Sequence, residues 1–284
     1  PQPIAARQWG TGFLPSRHQG VEFNSTGDPV HYVTRPGGVS EKHQRALVQS
    51  IQQLDNHRNE LVENPEIKAR IAAYEMAFRM QASVPGLMDV SDEPASALEL
   101  YGAKPGDGSY ASNCLLARRL VERGVRFVQL YAGTNGGGGG VADVPWDGHN
   151  DIGANHRIAA KSVDQPIGAL LEDLKSRGML DDTLVVWGGE FGRTSDAQSG
   201  KGRDHNPNAF TMWMAGGGIK GGSHYGASDE FGYKAVENRV SVNDLHATIL
   251  HLLGIDHERL TYFFNGRNFR LTDVAGKVLS EILA

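Results

Sequence analysis

The sequence of 284 residues is short of cysteine, of long apolar runs and of excess charge of either sign. Its single cysteine, Cys114, lies in a pattern typical of a helix, where a small buried residue is expected, and it has no partner for a disulfide within the chain. No segment has the ~20 apolar residues that a membrane-spanning helix needs. The net charge of −5 comes from interspersed acidic and basic residues, unlike the basic surface of a nucleic-acid-binding protein. We therefore expect neither a membrane span nor a nucleic-acid partner.

Size and composition are those of a globular protein. Hydrophobic residues make up 39% of the chain and charged residues 21%. One large α/β domain reaches this length with a single core, so we predict one domain over residues 1–284. Residues 1–40 are rich in glycine, proline and polar residues and are predicted to be an irregular arm. Because the chain begins at Pro1 with neither a methionine nor a signal peptide, we expect a processed or truncated product that is incomplete at its N-terminus.

The spacing of apolar residues predicts helices that alternate with strands. Helices are predicted just after Ser40 and over residues 71–80, 111–123, 159–177 and 244–253. Strands are predicted over residues 125–131, 183–187 and 210–215, with a mobile glycine-rich loop over residues 133–140. A strand, a helix and a second strand in succession imply a right-handed crossover between parallel strands. The predicted fold class is α/β, with a mainly parallel sheet and helices on both faces.

Two polar loops follow predicted strands, at the edge of a parallel sheet where ligands usually bind. Residues 146–151 (Trp-Asp-Gly-His-Asn-Asp) offer two carboxylates and an imidazole, which suits a divalent cation or a general base. In residues 188–194, Glu190 is presented at the end of the strand, and Arg193 has the planar fork that holds an oxyanion through two hydrogen bonds. Thr194 is the hydroxyl in this loop, and capping is favoured over nucleophilic attack.

A third polar loop, residues 202–207, again combines a cation, Arg203, with a carboxylate and an imidazole, Asp204 and His205. Each loop alone has an ordinary structural explanation: an aspartate that caps a turn, an arginine in a salt bridge, or a histidine that bonds a carbonyl. Three such loops close together in the sequence favour a functional site. A serine nucleophile is not supported, because the chain has no Gly-x-Ser-x-Gly motif.

Six motifs extend this pattern over nearly the whole chain. They are Gln-Trp-Gly-Thr-Gly-Phe-Leu-Pro at 8–15, Trp-Asp-Gly-His at 146–149, Leu-Asp-Asp-Thr-Leu-Val-Val-Trp-Gly-Gly-Glu-Phe-Gly-Arg-Thr at 180–194, Gly-Arg-Asp-His at 202–205, Ala-Gly-Gly-Gly-Ile-Lys-Gly-Gly at 215–222 and Asp-Leu-His-Ala-Thr-Ile-Leu-His-Leu-Leu-Gly at 244–254. Together they resemble the sulfatase-like family called domain of unknown function 1501, which itself is similar to the alkaline-phosphatase superfamily.

The resemblance implies an alkaline-phosphatase-like or sulfatase-like α/β fold and hydrolysis of sulfate or phosphate esters with a divalent metal such as zinc, calcium or manganese. It matches Asp147 and His149 to the first of the metal-ligand segments in the later part of the superfamily's sequence. It also matches Glu190 to the aspartate of that superfamily's Asp-His pair, and His205 to the last histidine ligand. It also implies an exported protein, periplasmic or extracellular. Two features depart from the pattern: Phe191 stands where a ligand histidine is expected, and the early segment with a metal-binding aspartate and the nucleophile does not precede Pro1.

Three hypotheses follow from these residues. The first is a metal-dependent hydrolase of a small anionic ester, with Asp147, His149, Glu190 and His205 as ligands or acid-base groups, while Arg193 and Arg203 position the anion. The second is a noncatalytic protein that binds an anionic ligand or a sulfated carbohydrate on the same fold with a degraded metal site. The third is a fragment whose unpaired sheet edge invites self-association.

Overall fold

The structure is a computed structural model, and it describes residues 14, 18–24, 30, 37–62, 84, 86–132, 146–197 and 199–284. Contacts divide the chain into two compact units. The first is Pro1–Asp143 with Ser162–Ile167, and the second is Val144–Lys161 with Gly168–Ala284. The helix predicted over residues 71–80, the glycine-rich loop and most of the N-terminal arm lie outside the described residues. The single domain stays a prediction.

The regular elements described in the first unit are helices, and its described residues contain no strand. Its helices are α1 (Glu41–Val62), α2 (Ala95–Tyr101) and α3 (Tyr110–Glu122). The Ser109 side chain caps α3 by accepting a hydrogen bond from the backbone N–H of Ser112. Past its end, Gly124 has a φ of 85°, the left-handed conformation that glycine adopts most readily. The predicted helices after Ser40 and over residues 111–123 are thus confirmed.

Helix α3 carries the core of this unit. Cys114 is buried, and burial raises the pKa of its thiol to about 12, as expected of a structural cysteine. Two arginines of the same helix, Arg118 and Arg119, are also almost fully buried. Both pair with Glu93, whose side chain is itself only 6% exposed. The core of the first unit therefore contains a charged network within an apolar setting.

The second unit contains two helices. Helix α4 (Ile152–Ser176) begins where Asp151 accepts a hydrogen bond from the backbone N–H of Ala154, and its residues 162–167 group with the first unit. This cap lies ahead of the predicted start at residue 159, so the helix is longer than predicted. Helix α5 (Val242–Leu252) begins with a capping box between Ser241 and Asp244, which confirms the helix predicted over residues 244–253. None of the described helices is both long enough and apolar enough to cross a membrane.

The strands of the second unit are short, and they pair in twos. The antiparallel pairs are β1 (Val185–Trp187) with β4 (Trp213–Ala215), β2 (Gly192–Arg193) with β3 (His205–Asn206), β5 (Ala227–Ser228) with β6 (Ala235–Glu237), and β7 (Thr261–Phe264) with β8 (Arg267–Arg270). In the last hairpin, Asn265 and Gly266 both have positive φ, as the tight turn of an Asn-Gly pair requires.

The predicted fold class, a mainly parallel sheet with helices on both faces, is therefore wrong. Residues 125–131 form no strand, and Phe127 is 75% exposed. The apolar run at 183–187 does contain a strand, but Val186 is exposed, so β1 is not buried on both faces as a parallel strand would be. Apolar alternation predicts an extended segment but does not encode its partner or direction. The chain returns from β1 through two polar loops and pairs antiparallel in β4.

Candidate metal centre

The pairing of β2 with β3 places two of the predicted site residues side by side. Arg193 lies directly opposite His205 in this antiparallel ladder, so both side chains project from the same face. Phe191 comes two positions before Arg193 and shares that face. Its ring stacks on the imidazole of His205, with 4.0 Å between ring centroids and an interplanar angle of 23°. The second and third polar loops thus form one surface.

A close backbone contact joins the first polar loop to this surface. The N–H of Lys201 donates to the carbonyl of Asn150 at 3.1 Å, and the N–H of Arg203 donates to the carbonyl of Gly148 at 3.1 Å. Between these two bonds lies Gly202, where an added Cβ would stand 1.7 Å from the carbonyl oxygen of His149. Only glycine permits so close an approach, and it holds His149 beside the third loop.

Three side chains converge where the loops meet. Asp147 Oδ1 lies 2.8 Å from His149 Nε2 and 2.9 Å from His205 Nε2. The two Nε2 atoms are 3.1 Å from each other, and the imidazole ring centroids are 4.9 Å apart. These three residues form a group that could hold a metal ion. Three of the four metal ligands expected from the sequence therefore lie together.

The triangle of donor atoms agrees with the dimensions of a metal site. For a metal bound at ~2.1 Å, donors are separated by roughly 3.0 Å in octahedral geometry and by about 3.4 Å in tetrahedral geometry. The observed sides of 2.8, 2.9 and 3.1 Å lie close to the octahedral value and would open by up to about 0.6 Å for the tetrahedral one. Three protein ligands leave a coordination position for a further ligand, as catalytic zinc sites do. Two imidazoles and one carboxylate are also the set that holds non-haem iron(II).

Asp147 is the electrostatic centre of the group. Partial burial would raise the pKa of its carboxyl, but the hydrogen bond with His205 and the hydrogen bond from Arg193 outweigh that effect and lower the pKa to about 2. Arg193 Nη2 donates to Asp147 Oδ1 at 2.7 Å. Asp147 is therefore ionised at neutral pH, as a metal ligand must be. Its side chain is 51% exposed, so a solute ion can reach it.

The other predicted site residues lie outside this group. Glu190 is exposed and is not one of the three residues. The hydroxyl of Thr194 donates to the carbonyl of Asp196 and accepts from the N–H of Asp204, which favours the capping role. Arg203 is half-buried, and its Nη1 donates to the carbonyl of Gly202 at 2.8 Å. The catalytic roles of Glu190, Thr194 and Arg203 stay predictions.

Sequence reasoning did not anticipate several residues that support the site. Asn206 follows His205, is 3% exposed, and donates from its side chain to the carbonyls of Gly232 and Tyr233. His156 Nε2 lies 3.0 Å from the carbonyl oxygen of Trp146 and so links helix α4 to the first loop. Asn206 belongs to the third polar loop, whereas His156 lies between the first loop and the predicted helix over residues 159–177, and a tertiary hydrogen bond to a distant carbonyl leaves no local pattern.

Comparisons with known proteins give one match. A family model described as "Protein of unknown function (DUF1501)" matches residues 1–283, which include all three polar loops. Neither the search of curated proteins nor the search of solved structures finds a significant match.

Proposed function

Because the chain belongs to the DUF1501 family, whose description names no activity, we propose a function from its own residues: it is a metal-dependent hydrolase of sulfate or phosphate esters. The observation that carries this proposal is the convergence of Asp147 Oδ1, His149 Nε2 and His205 Nε2 within 3.1 Å of one another. The placement in the alkaline-phosphatase superfamily and the exported location belong to the same proposal and rest on the sequence motifs alone.

The charge of the group supports an anionic substrate. Asp147 contributes one negative charge, and the neutral imidazoles that ligate metals contribute none. A divalent metal there would polarise an ester oxygen and stabilise the charge that develops on it. The three-residue site then has a net positive charge, which attracts a sulfate or phosphate group. Arg203 is the predicted second cation for the anion, and Glu190 is the predicted acid-base group at the exposed end of its loop.

The residues around the group orient its ligands. Phe191 covers one face of the His205 ring, so this imidazole is limited in how far it can tilt. The carbonyl of His149 lies against Gly202, and this contact fixes the backbone that carries the second imidazole. Fixed ligands lower the reorganisation needed when a metal and an ester bind.

A second candidate function rests on Phe191. A phenyl ring occupies the position where the resemblance expects a ligand histidine, and it stacks on His205. Because a phenyl ring cannot ligate a metal, a metal position expected from the resemblance is lost, and such a degraded site would bind an anionic ester or a sulfated carbohydrate without hydrolysis. This alternative predicts metal-dependent ligand binding with no turnover.

The test is hydrolysis of p-nitrophenyl sulfate, p-nitrophenyl phosphate and bis(p-nitrophenyl) phosphate by protein reconstituted with zinc, manganese, calcium or iron(II). We expect turnover with at least one pair of metal and ester, and we expect Asp147→Asn and His205→Ala to abolish it. His246→Ala is the matched control, since His246 is an exposed histidine of α5 outside the group. Saturable binding of the ester without turnover would support the noncatalytic alternative. Turnover that survives both site variants would refute the assignment.

A further inference from the structure

Arg193 touches all three polar loops. Arg193 belongs to the second loop. Its Nη2 donates to Asp147 Oδ1 and to the carbonyl of Trp146, both in the first loop. Its Nη1 donates to the carbonyl of Arg203 in the third loop. The donor–acceptor distance is 2.7 Å to Asp147, 3.3 Å to Trp146 and 3.4 Å to Arg203. Only 16% of the Arg193 side chain is exposed. Its Cζ also lies 5.5 Å from the centroid of the Phe191 ring.

These contacts place the guanidinium among oxygen atoms that carry negative charge or partial negative charge. An arginine that grips an oxyanion presents two parallel N–H groups to it. Here both Nη atoms face protein oxygens, one of which belongs to a carboxylate. A sulfate or phosphate brought to this fork would meet those oxygens first. The Arg193 guanidinium therefore already donates its hydrogen bonds to oxygen atoms of the protein.

We propose that Arg193 is a positioning residue that sets the metal affinity of the centre by holding Asp147 Oδ1, and that it is not a clamp for the substrate anion. The proposal rests on the proposed metal centre. Groups that hydrogen-bond a metal-ligating side chain fix its orientation, and their removal typically weakens metal binding roughly 10- to 100-fold. The carbonyls of Trp146 and Arg203 hold the guanidinium in place, so the orientation of Asp147 is set before a metal arrives.

The test uses Co²⁺ as the probe, because its visible absorption reports both the dissociation constant and the ligand arrangement. It compares the wild-type chain with Arg193→Met, Arg193→Lys and the control Arg239→Met. Arg239 is exposed and forms no ion pair with the part of the chain that the structure describes. We expect Arg193→Met to raise the Co²⁺ dissociation constant roughly 10- to 100-fold and to shift the absorption band at saturation. Arg193→Lys retains the charge and a donor for Asp147 and should recover much of the affinity.

Three results would overturn the proposal, and they are distinguishable. If Arg193→Met binds Co²⁺ like the wild type, then Arg193 does not act on Asp147. If the methionine and lysine variants lose affinity equally and the band at saturation is unchanged, then Arg193 only fastens the loops. If the wild type itself binds no Co²⁺, then the metal centre of the proposed function fails and this inference fails with it. Unchanged affinity in Arg239→Met is required for the comparison to hold.

Discussion

Two charged clusters among the described residues differ in how their charges are satisfied. In the first unit, Arg118 and Arg119 have side chains that are 2% exposed, and both pair with Glu93. In the second unit, Asp147 is half-exposed, and three donor groups crowd around its Oδ1 atom. The first cluster spreads each charge over several partners, whereas the second concentrates its donors on one oxygen.

The difference separates a structural cluster from the one that we propose to be functional. Arg119 also donates to the carbonyls of Gly86, Leu87 and Asp89, so its guanidinium fastens a whole turn of the chain to α3. The second cluster holds fewer backbone carbonyls. Instead, it places the ligand atoms of two imidazoles and one carboxylate within 3.1 Å of one another. Buried charges that are each paired with several groups suit a structural role. Exposed ligand atoms that converge suit the binding of an ion.

We expect the largest loss of stability from a substitution that disrupts the structural cluster. Arg119→Met leaves the buried carboxylate of Glu93 and three carbonyls without this partner, and removal of one member of a buried ion pair typically costs about 3–5 kcal/mol. Chemical denaturation should show this loss in the free energy of unfolding. Arg123→Met, at the exposed end of the same helix, should change it by less than about 0.5 kcal/mol. Equal small effects in both variants would contradict the structural role.

A glycine substitution tests the junction that builds the functional cluster. Gly202→Ala puts a methyl group 1.7 Å from the carbonyl oxygen of His149, so the first loop must move away. We expect a loss of about 1–3 kcal/mol in unfolding free energy and a marked fall in metal content by elemental analysis. Gly168→Ala is the control, because an added Cβ there meets nothing within 4 Å in the middle of a helix. Wild-type metal content in Gly202→Ala would show that the junction does not position His149.

The stability of the structural cluster should depend on pH through Glu93. Burial would raise the pKa of Glu93, but hydrogen bonds from Arg118 and Arg119 lower it below the ordinary value of 4.5. A carboxyl whose pKa is lowered in the folded state stabilises the fold above the unfolded pKa, and this stabilisation is lost as pH falls through the folded value. Denaturation between pH 6 and about 3 should therefore show a steeper loss below about 4.5 in the wild type than in Glu93→Gln. Parallel curves would count against an ionised Glu93 in the network.

The smallest expected effect on stability comes from the functional cluster. Asp147→Asn removes an ion pair in which the carboxylate is half-exposed and the Arg193 guanidinium is 16% exposed, and ion pairs that solvent reaches are worth roughly 0–1 kcal/mol. In metal-free protein, the substitution should change the free energy of unfolding by no more than that. In a separate measurement of metal content, the same variant should retain almost no metal. A loss of several kcal/mol in metal-free protein would place Asp147 with the structural residues.

The sequence identified the residues of the candidate metal centre better than it predicted the fold. Residue types alone identified the three polar loops, and Asp147, His149 and His205 do meet in the structure. Helices α3 and α5 were predictable because their caps and apolar spacing are local. The strand pairing was not predictable, since the antiparallel partner of β1 begins 26 residues after it ends (213 − 187) and nothing in either segment specifies direction.

Within the candidate site, the sequence did not indicate which of the predicted residues contact one another. Glu190 carries a ligand type at a strand exit, yet it lies outside the converging group, whereas Arg193 reaches Asp147. The contact arises from the pairing of Arg193 with His205 and from the close approach at Gly202, both of which are tertiary features. A glycine between a lysine and an arginine in a polar loop was the only local sign of that approach.

The metal centre is tested by elemental analysis of the purified protein after chelator treatment and re-equilibration with zinc, manganese, calcium or iron(II). We expect close to one equivalent of metal in the wild type and in His246→Ala, and almost none in His205→Ala. A wild-type protein that retains none of these metals, or a His205→Ala variant that retains as much as the wild type, would contradict the assignment of Asp147, His149 and His205 as a metal centre.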